Sequence, residues 1–334
     1  MIRRVAAVNI TINHEPERGM ICALRDIFGA DNVLNVDFMR TAESMSLPTM
    51  NTWVLSQCLT FKPDWVWFQV QDTSMIGSWV IRELRRRLPG CVVSHWMGDA
   101  RENVCDYLTE ICRDTHLTLI SSVGQIPMFQ QAGASKVEYL QVGLDLPEHA
   151  DFSAPPSPVT FQVPDVVFCA KHAGYQFPGT RDRIEGIQAL MQSEIDVGIV
   201  GTGWTSGFPV VGSCHRNDQT NVYRHAKVAL SINHLNTIER YYSDRQIIAM
   251  ASGTPVVCKY VPGLEREFTH GVHCLWYDHP DELVGHVKSL LSDPDLRARI
   301  GQAGRAEILK SHTWRSRFLS VIPTIEQIQK ELTP

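Results

Sequence analysis

A chain of 334 residues, 44% hydrophobic and 20% charged, is long enough for two domains of about 150 residues each. It holds no apolar run of about 18 residues that could span a bilayer. The formal net charge of −5 is spread over both halves, 13 Lys+Arg against 17 Asp+Glu in residues 1–150 and 18 against 19 in the rest, which excludes a basic nucleic-acid module in bulk.

The first residues carry a short apolar run interrupted by Asn9, with no small-residue cleavage site behind it, so a strand is expected there and not a signal peptide. Nine scattered cysteines form no CxxC pair, and thirteen dispersed histidines form no HExxH, so no metal cluster is expected. The cysteines read as reduced, mostly buried thiols of a cytoplasmic protein.

In the first half, β-rich apolar runs at 5–10, 33–38, 64–70, 92–96, 117–121 and 136–141 alternate with helical patterns at 18–28, 51–59, 76–88 and 125–132. Gly29, Gly90 and Gly133 stand where those helices should stop. Pro147 and the Pro155-Pro156-Ser157-Pro158 run break the rhythm, which places a linker at about 146–164. The alternation resumes with strands at 166–170, 197–200, 229–233, 255–259 and 273–276, and helices at 181–191, 219–226, 244–252 and 281–291. This predicts an α/β protein of two Rossmann-like domains, 1–150 and 165–312, facing each other across a cleft. Residues 313–334 are expected to form a last helix packing back on the first domain. Ligands of open α/β sheets bind beyond the carboxyl ends of the strands, so the residues just after each strand are the candidates.

In the second domain, Lys171 follows a strand and Arg183 lies in the next helix, the cations a diphosphate needs near a helix N-terminus. Gly201, Gly203 and Trp204 follow the next strand, where glycines allow close approach and an indole offers a flat face to a base. The segment 241–257, Tyr-Tyr-Ser-Asp-Arg-Gln-Ile-Ile-Ala-Met-Ala-Ser-Gly-Thr-Pro-Val-Val, reads as Ser243 capping a short helix, Gly253 stopping it and Pro255 opening a strand.

That segment resembles the donor motif of GT-B glycosyltransferases, closest to the CgeB-like spore-maturation-protein group with its Arg-led helix. The order of elements from 270 to 317, through Ile300-Gly301-Gln302-Ala303-Gly304-Arg305 to His312-Thr313-Trp314, is similar too, so the resemblance covers about 165–320. It implies a nucleotide-sugar donor, a UDP-sugar foremost, bound by the C-terminal domain with no cofactor and no metal. Ser243, Asp244 and Arg245 would then join the donor site, with Arg245 on the diphosphate. One departure is visible: relatives carry two glutamates eight residues apart, the second contacting the nucleotide ribose, and this chain has Arg240 and Ile248 there. Isoleucine accepts no hydrogen bond.

The N-terminal domain would supply the acceptor side. Asp99 is the first candidate base, in a Gly-Asp turn after a strand, with Asp72 and His14 behind it. Arg82, Arg85 and Arg86 share a helical face and read either as a solvated face or as phosphate contacts for a DNA acceptor, a hydroxymethylated pyrimidine in phage DNA. A glycan or small-metabolite acceptor, a nucleotide-sugar 2-epimerase and a non-catalytic GT-B binding protein are the alternatives. Five of eight tryptophans, Trp53, Trp65, Trp67, Trp79 and Trp96, lie in the first half and are expected in the core.

Overall fold

The computed structural model describes residues 1–12, 15–16, 18–145, 155–172 and 174–333. The chain divides into two compact units, Met1–Asp145 with Trp314–Pro334, and Leu146–Thr313.

In the first unit, β1 (Val5–Asn9), β4 (Val33–Asp37), β5 (Trp65–Gln69), β6 (Val92–Met97), β7 (Leu117–Ile120) and β8 (Val137–Tyr139) form one sheet in the order β4-β1-β5-β6-β7-β8. Every pairing in it is parallel. A two-residue hairpin, β2 (Thr11–Ile12) with β3 (Glu15–Pro16), follows β1. The helices are α1 (Arg18–Phe28), α2 (Phe38–Ala42), α3 (Leu47–Phe61), α4 (Ser78–Arg87), α5 (Asp106–Asp114) and α6 (Ile126–Gln131). The strands are buried along their whole length where they are central, as the near-continuous apolar runs of β5 and β6 require of a sheet covered on both faces. The short α2 and α5 escape the sequence pattern because α2 is a turn and a half long and α5 carries four charges in nine residues.

One face of this sheet packs Ala6, Val8, Val66, Phe68 and Val93 against Val54, Cys58, Val80 and Leu84 of α3 and α4. The other face is aromatic. Trp65, Trp67 and Trp96 meet Trp314 and Phe318, with Trp96 and Trp314 centroids 5.0 Å apart and edge to face. Trp314 and Phe318 lie on the last helix of the chain (Trp314–Leu332), so this cluster holds that helix in the first unit. Chain and sheet meet closely there: a Cβ on Gly143 would stand 2.5 Å from Trp314 N. The tryptophans do not all follow the core expectation, since Trp53 is half-buried and Trp79 is 38% exposed.

The second unit holds β9 (Val166–Cys169), β10 (Val197–Val200), β11 (Val210–Gly212), β12 (Val228–Ser231), β13 (Val256–Lys259) and β14 (Leu275–Tyr277), again all parallel, in the order β11-β10-β9-β12-β13-β14. Numbered within the unit this is 3-2-1-4-5-6, the doubly wound order whose direction reverses between β9 and β12. Its helices are α7 (Pro178–Gln192), α8 (Gln219–His225), α9 (Asp244–Ala251), α10 (Pro280–Ser292) and α11 (Pro294–Ser311), and α12 is the Trp314–Leu332 helix of the first unit. Gly253, at φ +78°, ends α9 in the left-handed conformation that a side chain resists.

Candidate donor site

The carboxyl ends of β9 and β12, at the reversal of strand order, carry a pair of arginines. Arg183, from the first half of α7, donates through Nε to Ile232 O at 2.9 Å and through Nη1 to Lys171 O at 3.0 Å. Arg245, in the first turn of α9, donates through Nε to Cys169 O at 2.5 Å, and through Nη1 to Ser243 Oγ at 3.1 Å and Ile232 O at 3.4 Å. Both guanidinium carbons lie over the Phe168 ring, at 5.7 and 5.5 Å from its centroid. Burial, and then the charge of Arg245, pull Arg183 down to about 9.

Two like charges are thus held side by side by the carbonyls of strand ends, with a low-dielectric ring beneath them. Such a pair gains from an anion that shares them. Arg183 itself is 3% exposed, so its donors serve the strand ends and Arg245 is the more accessible partner. Lys171, just beyond β9, is exposed.

The start of α9 departs in detail from the capping expectation. Ser243 occupies the N-cap, yet its hydroxyl accepts from Arg245 and makes no side-chain cap. The Ser243 amide donates instead to Asn233 Oδ1 at 3.0 Å. Asp244 is held by Arg216 at 2.8 Å; desolvation pushes its carboxyl up, but Arg216 and then Arg245 outweigh it and keep it below the ordinary value.

Beyond β9 and β10 lies an aromatic group. Trp204 Nε1 donates to Ala170 O at 2.8 Å, and its ring meets His172 at 5.3 Å, Phe208 at 5.2 Å and Phe168 at 6.3 Å. His172 in turn meets Tyr175 at 5.1 Å, and Tyr175 is 75% exposed. Gly201 is required by the neighbouring strand, since a Cβ there would stand 1.9 Å from Ala170 O; Gly203 has φ +82°.

The two positions that depart from the glutamate pattern behave differently. Ile248 is buried within α9. Arg240, at φ +55°, is ion-paired with the buried Glu267, whose other oxygen accepts from Tyr242 Oη at 3.3 Å; Tyr242 Oη also lies 3.2 Å from His312 Nδ1.

In the first unit, Arg101 brings two of the candidate carboxylates together: its Nη2 lies 3.0 Å from Asp72 Oδ1 and 3.5 Å from Asp99 Oδ2, beyond β5 and β6. His14 lies outside the described residues. Arg82 bonds Asp114 at 2.6 Å, Arg85 donates to Asp114 O at 2.7 Å, and Arg86 pairs with Glu83 at 2.8 Å. Arg82 lies at the middle of α4 and Arg85 and Arg86 in its last turn, towards the amino ends of the strands and away from Asp72 and Asp99.

Asn233, Arg216, His172 and Tyr175 join this cluster without having been legible as site residues. The one usable signal was Asn233-His234-Leu235-Asn236 directly after a strand, a loop in which Asn236 Oδ1 accepts from Asn233 N at 3.0 Å. Among the described residues no group of three or more His, Cys, Asp or Glu could hold a metal ion, and no helix is long and apolar enough to cross a membrane.

Residues 183–322 match the family model described as glycosyl transferase-like. No curated protein matches the chain. Among solved structures, Anabaena HepE (Alr3699) in complex with UDP and glucose is similar with a TM-score of 0.67 at 14% identity, over 97% of this chain and 100% of that one. Sucrose-phosphate synthase from Thermosynechococcus elongatus gives 0.62 at 14% identity, over 98% and 99%. A glycosyltransferase from Rickettsia africae gives 0.66 at 11% identity, over 99% and 98%. The chain therefore has the GT-B fold, two parallel six-stranded α/β sheets, along its whole length.

Proposed function

We propose that this GT-B protein is a glycosyltransferase that moves a sugar from a nucleoside-diphosphate sugar, a UDP-sugar foremost, to a hydroxyl acceptor. The observation that carries the reading is the Arg183 and Arg245 pair at the β9/β12 reversal, inside the segment that matches the glycosyl transferase-like family. The solved complexes of HepE with UDP and with UDP-glucose point to the same donor class. The Arg-led helix α9 is what the chain shares with the CgeB-like group.

In this reading the diphosphate lies against Arg245 and the N-terminus of α9, with Lys171 on its open side and Arg183 behind. A guanidinium carries five N–H donors, and the contacts of Arg245 use Nε and Nη1. Its Nη2 remains to donate to phosphate oxygens. Departure of the nucleoside diphosphate places negative charge on its terminal phosphate, and preorganised cations with a helix N-terminus stabilise that charge without a metal ion. The exposed Tyr175 and the Trp204 group offer faces to the base, and Gly201 and Gly203 admit the backbone. With Ile248 buried, Ser243 and Asp244 are the groups left near the ribose.

Asp99, with Asp72 beside it on Arg101, is the proposed acceptor-side carboxylate. No observation favours DNA as acceptor, since Arg82, Arg85 and Arg86 are engaged by Asp114 and Glu83.

The test is a transfer assay with UDP-glucose and a panel of hydroxyl acceptors, following UDP release and glycosylated product. Arg245→Ala loses donor affinity and turnover, and Asp99→Asn loses turnover with donor affinity kept. Unchanged activity in both variants would remove the site assignment. A donor-only incubation that converts the sugar to its epimer would replace transfer by 2-epimerisation.

A further inference from the structure

The amino-end face of the second unit, opposite the donor site, holds a basic pocket. Residues 252–255 lead from α9 into β13 and residues 226–227 from α8 into β12, so the pocket lies where these strands begin. It is a cavity of about 440 Å³ whose lining includes Pro156, Arg224, Lys227, Ser252, Thr254 and Arg297. The Pro156 side is pinned to α8, since Asn221 Nδ2 and His225 Nε2 both meet Ser157 O, at 2.7 and 2.9 Å. Arg245 stands at the other end of α9 from Ser252, about 10 Å away at about 1.5 Å per residue.

Three helices end at this face, and open carbonyls at those ends would repel an anion. Each end is capped. At α8, Tyr223 O accepts from Ala226 N at 3.0 Å and from Thr254 Oγ1 at 2.7 Å. At α9, Ala251 O accepts from Arg305 Nη1, and Ala249 O from Ser252 Oγ at 2.6 Å. At α10, Leu290 O and Leu291 O accept from Arg297 Nη1 at 2.8 and 3.0 Å.

Charge then decides the class of ligand. Arg224, Lys227 and Arg297 line the cavity, and no acidic residue among the described ones does. Arg305 adds a fourth cation close by: burial, and then the charge of Arg224, pull it below its ordinary value. Of the acids that border the cavity, Asp165 is taken up by Lys227 Nζ at 2.9 Å, and Asp293 caps α11 by accepting from Leu296 N at 2.9 Å. Asp295 is matched in charge by Arg299, one turn further along α11, while Glu148 and Asp151 of the linker lie outside the described residues. The side-chain bonds of Arg297 use Nη1 alone, which leaves Nε and Nη2 to an outside acceptor, and Lys227 keeps donors beyond the one it gives Asp165. A phosphate group accepts from such cations through several oxygens at once, and the volume is that of a small-molecule site rather than of a lone ion.

We propose that this pocket is a second anion site that takes a phosphate-bearing small molecule, a sugar phosphate or a nucleotide, with its phosphate on Arg297 and Lys227 and with Arg224 adding charge. The site is separate from the diphosphate site at Arg245 and does not depend on the glycosyltransferase reading.

The experiment titrates inorganic phosphate, glucose 6-phosphate and AMP into the full chain by calorimetry, comparing wild type with Lys227→Met, Arg297→Met and Arg245→Ala. At least one ester should bind more tightly than inorganic phosphate, and the tighter of the two identifies the source. Its Kd should rise about tenfold or more in Lys227→Met and in Arg297→Met, the equivalent of about 1.4 kcal/mol, because an ionised hydrogen bond is lost. Arg245→Ala should keep the wild-type Kd. Lys227 is exposed, so its variant keeps the fold; circular dichroism accompanies Arg297→Met, which also loses the cap of α10. Absence of binding by both esters at millimolar concentration would overturn the proposal. So would inorganic phosphate binding as tightly as either ester, or a Kd that moves with Arg245→Ala and not with Lys227→Met.

Discussion

Replacing Arg245 by alanine separates the diphosphate from the rest of the donor. The guanidinium is fixed by Cys169 O at 2.5 Å, Ser243 Oγ at 3.1 Å and Ile232 O at 3.4 Å, and lies over Phe168, so it is placed before any ligand arrives. An ionised hydrogen bond to phosphate contributes about 1.5–3 kcal/mol, and each 1.4 kcal/mol is about tenfold in affinity. Arg245→Ala should therefore weaken UDP by about 10- to 150-fold. Uridine carries no phosphate and should bind the variant within about twofold of the wild type. Calorimetric titration of both ligands into both proteins gives the comparison, with circular dichroism to show that the fold is kept. Equal weakening of UDP and uridine, or UDP affinity left intact, would refute the placement of the diphosphate at Arg245.

The remaining predictions concern stability. Burial holds His95 down at about 3, with both ring nitrogens unpartnered, so it is neutral in the folded chain while the unfolded chain takes up a proton below about 6.5. Stability is therefore complete above pH 6.5 and is lost as pH falls towards 3. At pH 4.5, two units below the unfolded value, the loss is about 3 kcal/mol, and His95→Leu should narrow the gap in urea midpoint between pH 7 and pH 4.5; a gap of the same size in the variant would show that His95 is not its source. Glu267→Gln breaks the buried pair with Arg240 and should cost about 3–5 kcal/mol, read as a lowered urea midpoint; a midpoint matching wild type would mean that the pair contributes nothing. Trp314→Ala empties the centre of the aromatic cluster and should cost about 3–5 kcal/mol, with the last helix becoming the first site of limited proteolysis. Cleavage elsewhere first would contradict the anchoring role of Trp314.

Most of the fold was legible because both sheets are parallel and buried on both faces, so each central strand is a short apolar run bounded by helix signals. The edges were less so. Strand β11, Val210–Gly212, is half exposed and carries too few apolar positions to stand out, and the 18-residue α11 hides its apolar face among six charges and two glycines. The helix, stop and strand from Asp244 to Lys259 could be read because their signals are local: Ser243 before the helix, Gly253 at its end and Pro255 ahead of the strand. Two things could not. Arg183 is a buried partner of strand ends and not a solvated helix residue, because its carbonyl partners come from loops up to 49 residues away. Likewise Asp72 and Asp99 converge only through Arg101, a side chain the sequence offered merely as a neighbour of one of them.

The central claim, a nucleoside-diphosphate-sugar site in the second unit, is tested most directly by titrating UDP into the wild-type protein while following its thermal transition. Binding at one site should raise the transition progressively, and UDP at 100 times its Kd should add about 2.7 kcal/mol of stability. A transition that stays in place at millimolar UDP, and with UDP-glucose likewise, would contradict the account.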